Sequence, residues 1–139
     1  LVTIVKPQSL KPDERPQGVE IQEAIPSEMP TYGYLSRVER TKRVDGKLLR
    51  ARDKQVLMDG DVLLSTKGTI GTVAIARPDA SCNIPLLPSQ ASVILRLKPK
   101  VQIKDPRFLV MYLRSPAAKQ AIVALATGGT IQNIALDDL

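Results

Sequence analysis

The sequence predicts an α+β domain, with a curved, mainly antiparallel sheet in its amino-terminal two thirds and two helices near its carboxy end. Short apolar or alternating runs, separated by glycines and prolines, fill the first hundred residues, and helical spacing appears only after residue 105. Strands followed by helices favour this class over a repeating βαβ array. The length of 139 residues, with 43% hydrophobic and 24% charged residues, fits a single folded domain spanning 1–139.

The strands are predicted from β-branched runs and from the turns between them. Residues 1–5 are mostly β-branched and apolar, and residues 19–25 alternate between apolar and polar side chains. After the turn signal Asp59-Gly60-Asp61, two strands at 62–65 and 70–76 are expected on either side of a glycine-bearing loop. Residues 91–97 predict a central strand. Because prolines interrupt residues 1–30, that stretch as a whole is predicted to be an irregular arm or linker.

Two helices are predicted from paired start signals. Asp105-Pro106 is a good helix start, and Phe108 and Tyr112 lie one turn apart, so we expect both in the core. Ser115-Pro116 repeats the start signal. The apolar stripe Ala118, Ile122 and Leu125 then predicts a helix that runs to about Ala126, before Gly128-Gly129.

The composition argues against several classes of protein. With no histidine and a single cysteine, the chain has neither an internal disulfide nor the common zinc spacings, and it lacks the usual general base at neutral pH. We therefore expect no catalytic residue, no metal and no cofactor in this chain, and we interpret Cys82 as a half-buried structural thiol. The apolar stretches are too short to span a membrane, and no secretory signal pattern is present. A piece of a longer cytoplasmic protein is expected.

Positive charge is concentrated in one short segment. The net charge is +6, and residues 37–54, here called the basic segment, hold eight basic and three acidic side chains, a net of +5. Residues 1–36, the acidic segment, hold three basic and five acidic side chains, a net of −2. Within the basic segment, Val44-Asp45-Gly46-Lys47 favours a tight hairpin turn. A basic hairpin is typical of phosphate-contacting surfaces, although the same hairpin would also fit an acidic partner subunit.

One motif combines glycines, a lysine and threonines, as phosphate loops do. In GDVLLSTKGTIG, residues 60–71, Lys67 precedes Gly68 and a strand follows, whereas a phosphate-binding loop needs Gly-Lys before Ser or Thr at a helix start. The stretch instead resembles the signature of target recognition domains in type I restriction-modification specificity subunits. The glutamine Gln90 before an apolar strand, the stretch DPRFLVMYLRS and the ending GGTIQNIALDDL follow in the order of that family.

The resemblance covers residues 55–139 well and leaves two parent proteins open. Similar domains are fused to adenine DNA methyltransferases, and residues 25–62 resemble those fused tails more closely. Either parent implies sequence-specific recognition of double-stranded DNA that positions a methyltransferase on its site. S-adenosylmethionine would then be bound by the methyltransferase and not by this chain. The implied partners are double-stranded DNA, an adenine DNA methyltransferase subunit or domain, and a restriction translocase subunit.

The candidate DNA contacts are side chains that reach phosphates and base edges. Arginine and lysine bind phosphates and guanine, whereas asparagine and glutamine bind adenine. Two side chains keep a second interpretation: Lys67 in a purely structural turn, and Gln90 as a buried polar residue that ties a loop to the sheet. The predicted contacts are Arg37, Arg40, Lys42, Arg43, Lys47, Arg50, Arg52, Thr66, Lys67, Gln132 and Asn133.

Two other functions are weighed against DNA recognition. The first is a non-catalytic protein-interaction domain that assembles restriction-modification subunits through the basic hairpin. The second is a hydrolase or nuclease that uses Asp59, Asp61 and Asp79. The second is disfavoured because these carboxylates lack partner acids at a recognisable spacing.

Overall fold

The chain folds into eight strands and three helices over the residues that the structure, a computed structural model, describes: 2–13, 15, 18–100, 102 and 105–127, without the side chains of 125–127. Strands come first and the two longer helices last, which confirms the predicted α+β class. Single 3-10 turns lie at Pro26–Glu28 and Asp53–Gln55. The elements are β1 Val2–Val5, β2 Gly18–Ala24, β3 Tyr34–Leu35, β4 Thr41–Asp45, α1 Gly46–Ala51, β5 Val62–Ser65, β6 Val73–Ala76, β7 Leu86–Pro88, β8 Ser92–Leu97, α2 Pro106–Leu113 and α3 Pro116–Thr127.

The strands form two sheets. The larger has the order β1-β8-β5-β6-β3, and the smaller has the order β4-β2-β7. Pairing is antiparallel except between β3 and β6 and between β2 and β7, so the mainly antiparallel character is as predicted. The strand predicted at 91–97 is β8, an interior strand between β1 and β5.

The core lies in three layers. One face of the five-stranded sheet packs against α2 and α3 through residues such as Leu64, Leu113 and Ile122, all fully buried. Its other face packs through Leu63 and Ile94 against the smaller sheet. The far side of the smaller sheet is covered by α1 and the chain around Leu10. Each fully buried large aliphatic side chain contributes about 1.5–3 kcal/mol of burial free energy, so the two faces of the larger sheet supply much of the stability.

The sequence predicted that residues 1–30 form an irregular arm or linker, and this prediction is wrong. β1 pairs with β8, and β2 is the middle strand of the smaller sheet. Leu10 and Ile21 are buried. The prolines fall between the strands and not inside them. The strand β2 is therefore free to bury Ile21 on one face and Ala24 on the other.

The predicted hairpin at Asp45-Gly46 is a helix start. The Oδ1 atom of Asp45 accepts a hydrogen bond from the backbone N–H of Lys47 at 2.9 Å, which caps α1. Leu48 and Leu49 then pack onto the smaller sheet. Aspartate suits a helix cap as well as a tight turn. Leu48 and Leu49 favour the helix, because in a helix both side chains pack against the core of the smaller sheet.

The two helices near the carboxy end are confirmed, but their buried faces differ in part from the prediction. Asp105 caps α2 through the N–H of Arg107, and the buried residues of α2 are Leu109, Val110 and Leu113. Phe108 is 62% and Tyr112 39% exposed, so neither is a core residue. In α3, Ala118 and Ile122 are buried as expected, whereas the side chain of Leu125 lies outside the described residues. None of the helices in the described part of the chain is long and apolar enough to cross a lipid bilayer.

Candidate nucleic-acid interface

Several cations of the basic segment are paired with the chain itself. The Nζ atom of Lys42 lies 2.7 Å from a carboxylate oxygen of Glu23. Arg40 lies 3.4 Å from Glu28, and Arg37 lies 3.7 Å from Asp79. Since Glu23 and Glu28 belong to the acidic segment, two of these pairs join the oppositely charged stretches of the sequence.

The remaining cations of the segment point in different directions. Arg43 and Arg52 donate hydrogen bonds to the backbone carbonyls of Gly18 and Ser9. Lys42 and Arg43 are consecutive in β4, so their side chains project from opposite faces of the sheet. Lys47 and Arg50 lie on α1, and Lys54 lies in the 3-10 turn after it. All three side chains are exposed and have no ion-pair partner among the described residues. The prediction of one continuous basic hairpin is therefore wrong.

A different group of loops meets at one edge of the five-stranded sheet. The register pairs Ser65 with Ser92 and Val5 with Ile94, so β5 and β1 end where β8 begins. The strands β6 and β3 run parallel and both begin at this edge. We call residues 6–8, 29–33, 66–72 and 89–91 the loop edge.

The loop 66–72 forms the tip of the β5–β6 hairpin and is closed at its base. The backbone N–H of Ser65 donates to the carbonyl of Thr72 at 2.9 Å, and Ser65 Oγ accepts from the N–H of Thr72 at 2.8 Å. Gly68 and Gly71 have φ angles of 70° and 90°, which other residues rarely adopt. Lys67 and Thr69 are exposed at the tip.

A cleft of about 340 Å³ lies on one side of this hairpin, and we call it the Lys67 cleft. Lys42 and Lys67, predicted from separate parts of the sequence, both line it, together with Glu23. The N–H groups of Thr66 and Lys67 donate to the carbonyl of Ala91 at 2.8 and 3.3 Å, which fixes the hairpin to the loop before β8. Lys67 has no ion-pair partner among the described residues. The other polar lining residues are Gln8, Ser9, Gln55, Ser89 and Gln90.

Gln90 does not tie the loop to the sheet from a buried position, because its side chain is exposed. The carbonyl of Ala91 makes that connection, and Ser89 Oγ accepts from the N–H of Ala91 at 3.2 Å. The carboxamide of Gln90 therefore stands at the mouth of the Lys67 cleft. Of the two interpretations of Gln90, the structural one is wrong.

A second cleft, of about 530 Å³, lies on the other side of the hairpin, and we call it the Lys119 cleft. Arg114 and Lys119 line it, with Tyr32 at 87% exposure, and none of its described lining residues is an aspartate or glutamate. The Nη2 atom of Arg114 donates to the carbonyls of Thr31 and Val73, each at 3.1 Å. Sequence reasoning missed this group because its members come from three stretches of chain far apart in the sequence.

The three carboxylates considered for a hydrolase each have a structural partner. Asp61 is 2% exposed and accepts hydrogen bonds from Arg96 at 2.8 and 2.7 Å. Asp59 pairs with Arg77 on the surface. Asp79 accepts from Ser81, and this hydrogen bond lowers the pKa of Asp79 below its ordinary value. Each of the three carboxylates is therefore paired within the chain, and the described residues offer no support for hydrolysis.

Two further predictions concern Cys82 and the end of the chain. Cys82 is half-buried, and its Sγ lies 3.5 Å from the Nε2 atom of Gln22, as expected for a structural thiol. Gln132 and Asn133 lie outside the described residues.

Comparison with known proteins finds similar folds among solved structures. No protein-family model matches the sequence, and no curated protein matches it. The chain superposes on a solved chain from work on complex assembly and conformational transition of the type I R-M system, with a TM-score of 0.51 and 19% identity over 81% of this chain. It also superposes on the crystal structure of the HsdS subunit from Thermoanaerobacter tengcongensis, with a TM-score of 0.52 and 16% identity over 94% of this chain. It spans 24% and 28% of those chains. The chain therefore has a fold that also occurs in type I restriction-modification proteins, as its resemblance to target recognition domains predicted.

Proposed function

We propose that this chain is a sequence-specific, double-stranded DNA recognition module of a restriction-modification system and that it carries no catalytic site. The observation that supports this most strongly is the Lys67 cleft. There, Lys67, an exposed cation without an ion-pair partner among the described residues, lines the same cleft as the exposed carboxamide of Gln90. The fold shared with type I restriction-modification proteins supports the same function.

The chemistry of the cleft fits duplex DNA. The ammonium of Lys67 binds a phosphate, and the release of counterions that follows favours binding. The carboxamide of Gln90 can both donate to and accept from an adenine edge in the major groove. Lys42 keeps its pair with Glu23 and supports the wall of the cleft. Thr66, Gln132 and Asn133 are proposed as further polar contacts.

Cations of the basic segment are proposed as further phosphate contacts outside the Lys67 cleft. Lys47 and Arg50 need no rearrangement to meet phosphates, because both are exposed on α1. Arg37 and Arg40, with side chains 69% and 56% exposed, would exchange their acidic partners for phosphates. This exchange costs little, since exposed ion pairs contribute about 0–1 kcal/mol. Arg52 would use the N–H groups that remain beside its bond to the carbonyl of Ser9, and Arg43 is proposed as a further contact.

Methyl transfer then belongs to a partner. An adenine DNA methyltransferase subunit, or a methyltransferase domain fused to this one, binds S-adenosylmethionine and acts on the adenine that this module positions. A restriction translocase subunit completes the proposed cytoplasmic assembly. This arrangement assigns recognition to the loop edge and chemistry to another polypeptide or domain.

A titration of duplex DNA by fluorescence anisotropy, between about 50 and 200 mM salt, tests the proposal. We expect affinity to fall steeply with salt, and Lys67→Ala to reduce the slope of log K against log salt by about 0.9. The matched control is Lys98→Ala, because Lys98 is an exposed lysine just beyond the opposite end of β8, about 20 Å from Ala91. Binding that is absent, or that does not depend on salt, would contradict DNA recognition.

A second candidate function is a protein-interaction domain that assembles restriction-modification subunits. The observation that favours it is the exposed apolar face of α2, where Phe108 is 62%, Met111 70% and Tyr112 39% exposed. Co-sedimentation of the chain with a methyltransferase subunit would test it. This function predicts that a Phe108→Ser/Met111→Ser variant loses assembly while it retains its melting temperature.

A further inference from the structure

We propose that the tip of the β5–β6 hairpin enters the major groove of DNA and that the Lys119 cleft binds the phosphate backbone on the far side of that groove. This inference rests on the proposed function. It assigns a binding role to Tyr32, Arg114 and Lys119, and it gives the hairpin an orientation on the duplex.

The arrangement of the two clefts carries the inference. Thr66 and Lys67 at the start of the hairpin tip face the loop before β8, whereas Ile70 to Val73 at its end form a wall of the Lys119 cleft. The hairpin therefore stands between two cation-bearing clefts. A protein that contacts base edges in a groove needs this arrangement, with the segment that contacts the bases in the middle and a phosphate-binding site on either side.

The dimensions favour the major groove. That groove is about 12 Å wide and admits a two-stranded β-ribbon, whereas the minor groove is about 6 Å wide. From β8, beside the Lys67 cleft, to β3, beside the Lys119 cleft, there are three strand spacings, roughly 14 Å. The tip is also uncrowded at Gly68, because no described heavy atom other than those of Gly68 and its two chain neighbours lies within 4 Å of the position a Cβ would take.

Electrostatics make the Lys119 cleft suitable for an anion. The guanidinium of Arg114 is held in place by the carbonyls of Thr31 and Val73, so its charge is fixed in the wall and no described carboxylate neutralises it. Lys119 is exposed on α3 and has no ion-pair partner among the described residues. The exposed ring of Tyr32 brings a phenolic hydroxyl, which donates readily to a phosphate oxygen.

Salt-dependent titration of the whole chain with a random-sequence duplex of about two helical turns tests the two-sided contact. We expect Lys119→Ala and Lys67→Ala each to lower the salt slope by about 0.9 and the double variant to lower it by about 1.8. Lys98→Ala is the control and keeps the wild-type slope. Circular dichroism melting of Lys119→Ala should match that of the wild type, since the substituted side chain is exposed.

The outcomes separate this inference from the function on which it rests. If Lys67→Ala weakens binding and Lys119→Ala binds like the wild type, the two-sided contact is wrong and DNA recognition stands. If the wild type binds no duplex, both are wrong. Equal affinity for a single-stranded oligonucleotide would also overturn the groove contact.

Methylation protection identifies the groove. Guanine N7 lies in the major groove and adenine N3 in the minor groove, so a methylating reagent reports on each separately. With saturating protein, we expect protection of guanine N7 on the bound duplex and normal methylation of adenine N3. Protection of adenine N3 with unprotected guanine N7 would overturn the proposed orientation.

Discussion

The carboxylate of Asp61 lies 2.7 Å from Nη2 of Arg96, where the start of β5 faces the end of β8. Asp61 also accepts a hydrogen bond from the N–H of Met58 at 2.8 Å, and Arg96 donates to the carbonyl of Val56. The pair closes the end of the five-stranded sheet opposite the loop edge. The side-chain hydrogen bond with Asp61 raises the pKa of Arg96 above its ordinary value.

Replacement of one member of this pair should destabilise the fold. Asp61→Asn leaves Arg96 without a counter-charge in a half-buried site, and we expect a loss of roughly 3 kcal/mol in the free energy of unfolding, measured by urea denaturation. Asp59→Asn is the matched control, because Asp59 is 74% exposed and pairs only with a surface arginine. Equal midpoints for the two variants would show that the pair does not stabilise the sheet.

The helix cap at Asp45 gives a second stability prediction. Asp45→Ala removes the acceptor for the N–H of Lys47, and we expect a loss of about 1 kcal/mol, whereas Asp45→Ser should retain most of the cap. Thermal or urea unfolding of the three proteins measures the difference. A tight hairpin turn at this position would predict similar losses for Ala and Ser.

Core substitutions distinguish the two faces of α2. Leu113 is fully buried between the helices and the sheet, so Leu113→Ala should cost about 2–5 kcal/mol. Phe108→Ala should change stability by less than about 0.5 kcal/mol, because the ring is largely exposed. Urea midpoints of the two variants measure this contrast. A larger loss for Phe108→Ala would contradict the observed orientation of the helix.

The cap of α2 should depend on pH in a defined direction. The pKa of Asp105 is lowered from its ordinary value of 3.8, first by the side-chain hydrogen bond from Arg107 and then by the backbone N–H of Arg107. Because the pKa is lower in the folded state, ionised Asp105 stabilises the fold above the unfolded pKa. This contribution is lost as the pH falls through the lower, folded value.

Carboxyl-detected NMR titration measures that pKa directly. We expect Arg107→Ala to raise the pKa of Asp105 towards 3.8 and to leave the pKa of Asp79 lowered, because Ser81 is the main cause at that site. An unchanged pKa of Asp105 in Arg107→Ala would show that the side chain of Arg107 does not lower this pKa.

Local patterns predicted the elements that depend on local chemistry. The strands on either side of the glycine-bearing loop and the caps at Asp105 and Ser115 follow from residue types close in sequence. The α+β order was predictable for the same reason. The two-sheet arrangement was not, because strand pairing over long separations, such as β1 with β8, leaves no periodic signal.

The incorrect predictions have identifiable physical causes. Asp-Gly satisfies both a tight turn and a helix start, and only the core beneath Leu48 and Leu49 decides between them. In α2, two apolar stripes compete, and the stripe containing Leu109 and Leu113 packs against the sheet while Phe108 faces outwards. Concentrated charge in the sequence did not reveal that Lys42 pairs with Glu23.

Mapping of duplex DNA onto the chain by NMR tests the central claim most directly. On addition of duplex DNA, we expect amide shifts in residues 66–72, 89–91 and 31–33 of the loop edge, and none around Asp61, Arg96 and Lys98 at the opposite end of the sheet. Shifts confined to that opposite end, or no shifts at all, would contradict DNA recognition by the loop edge.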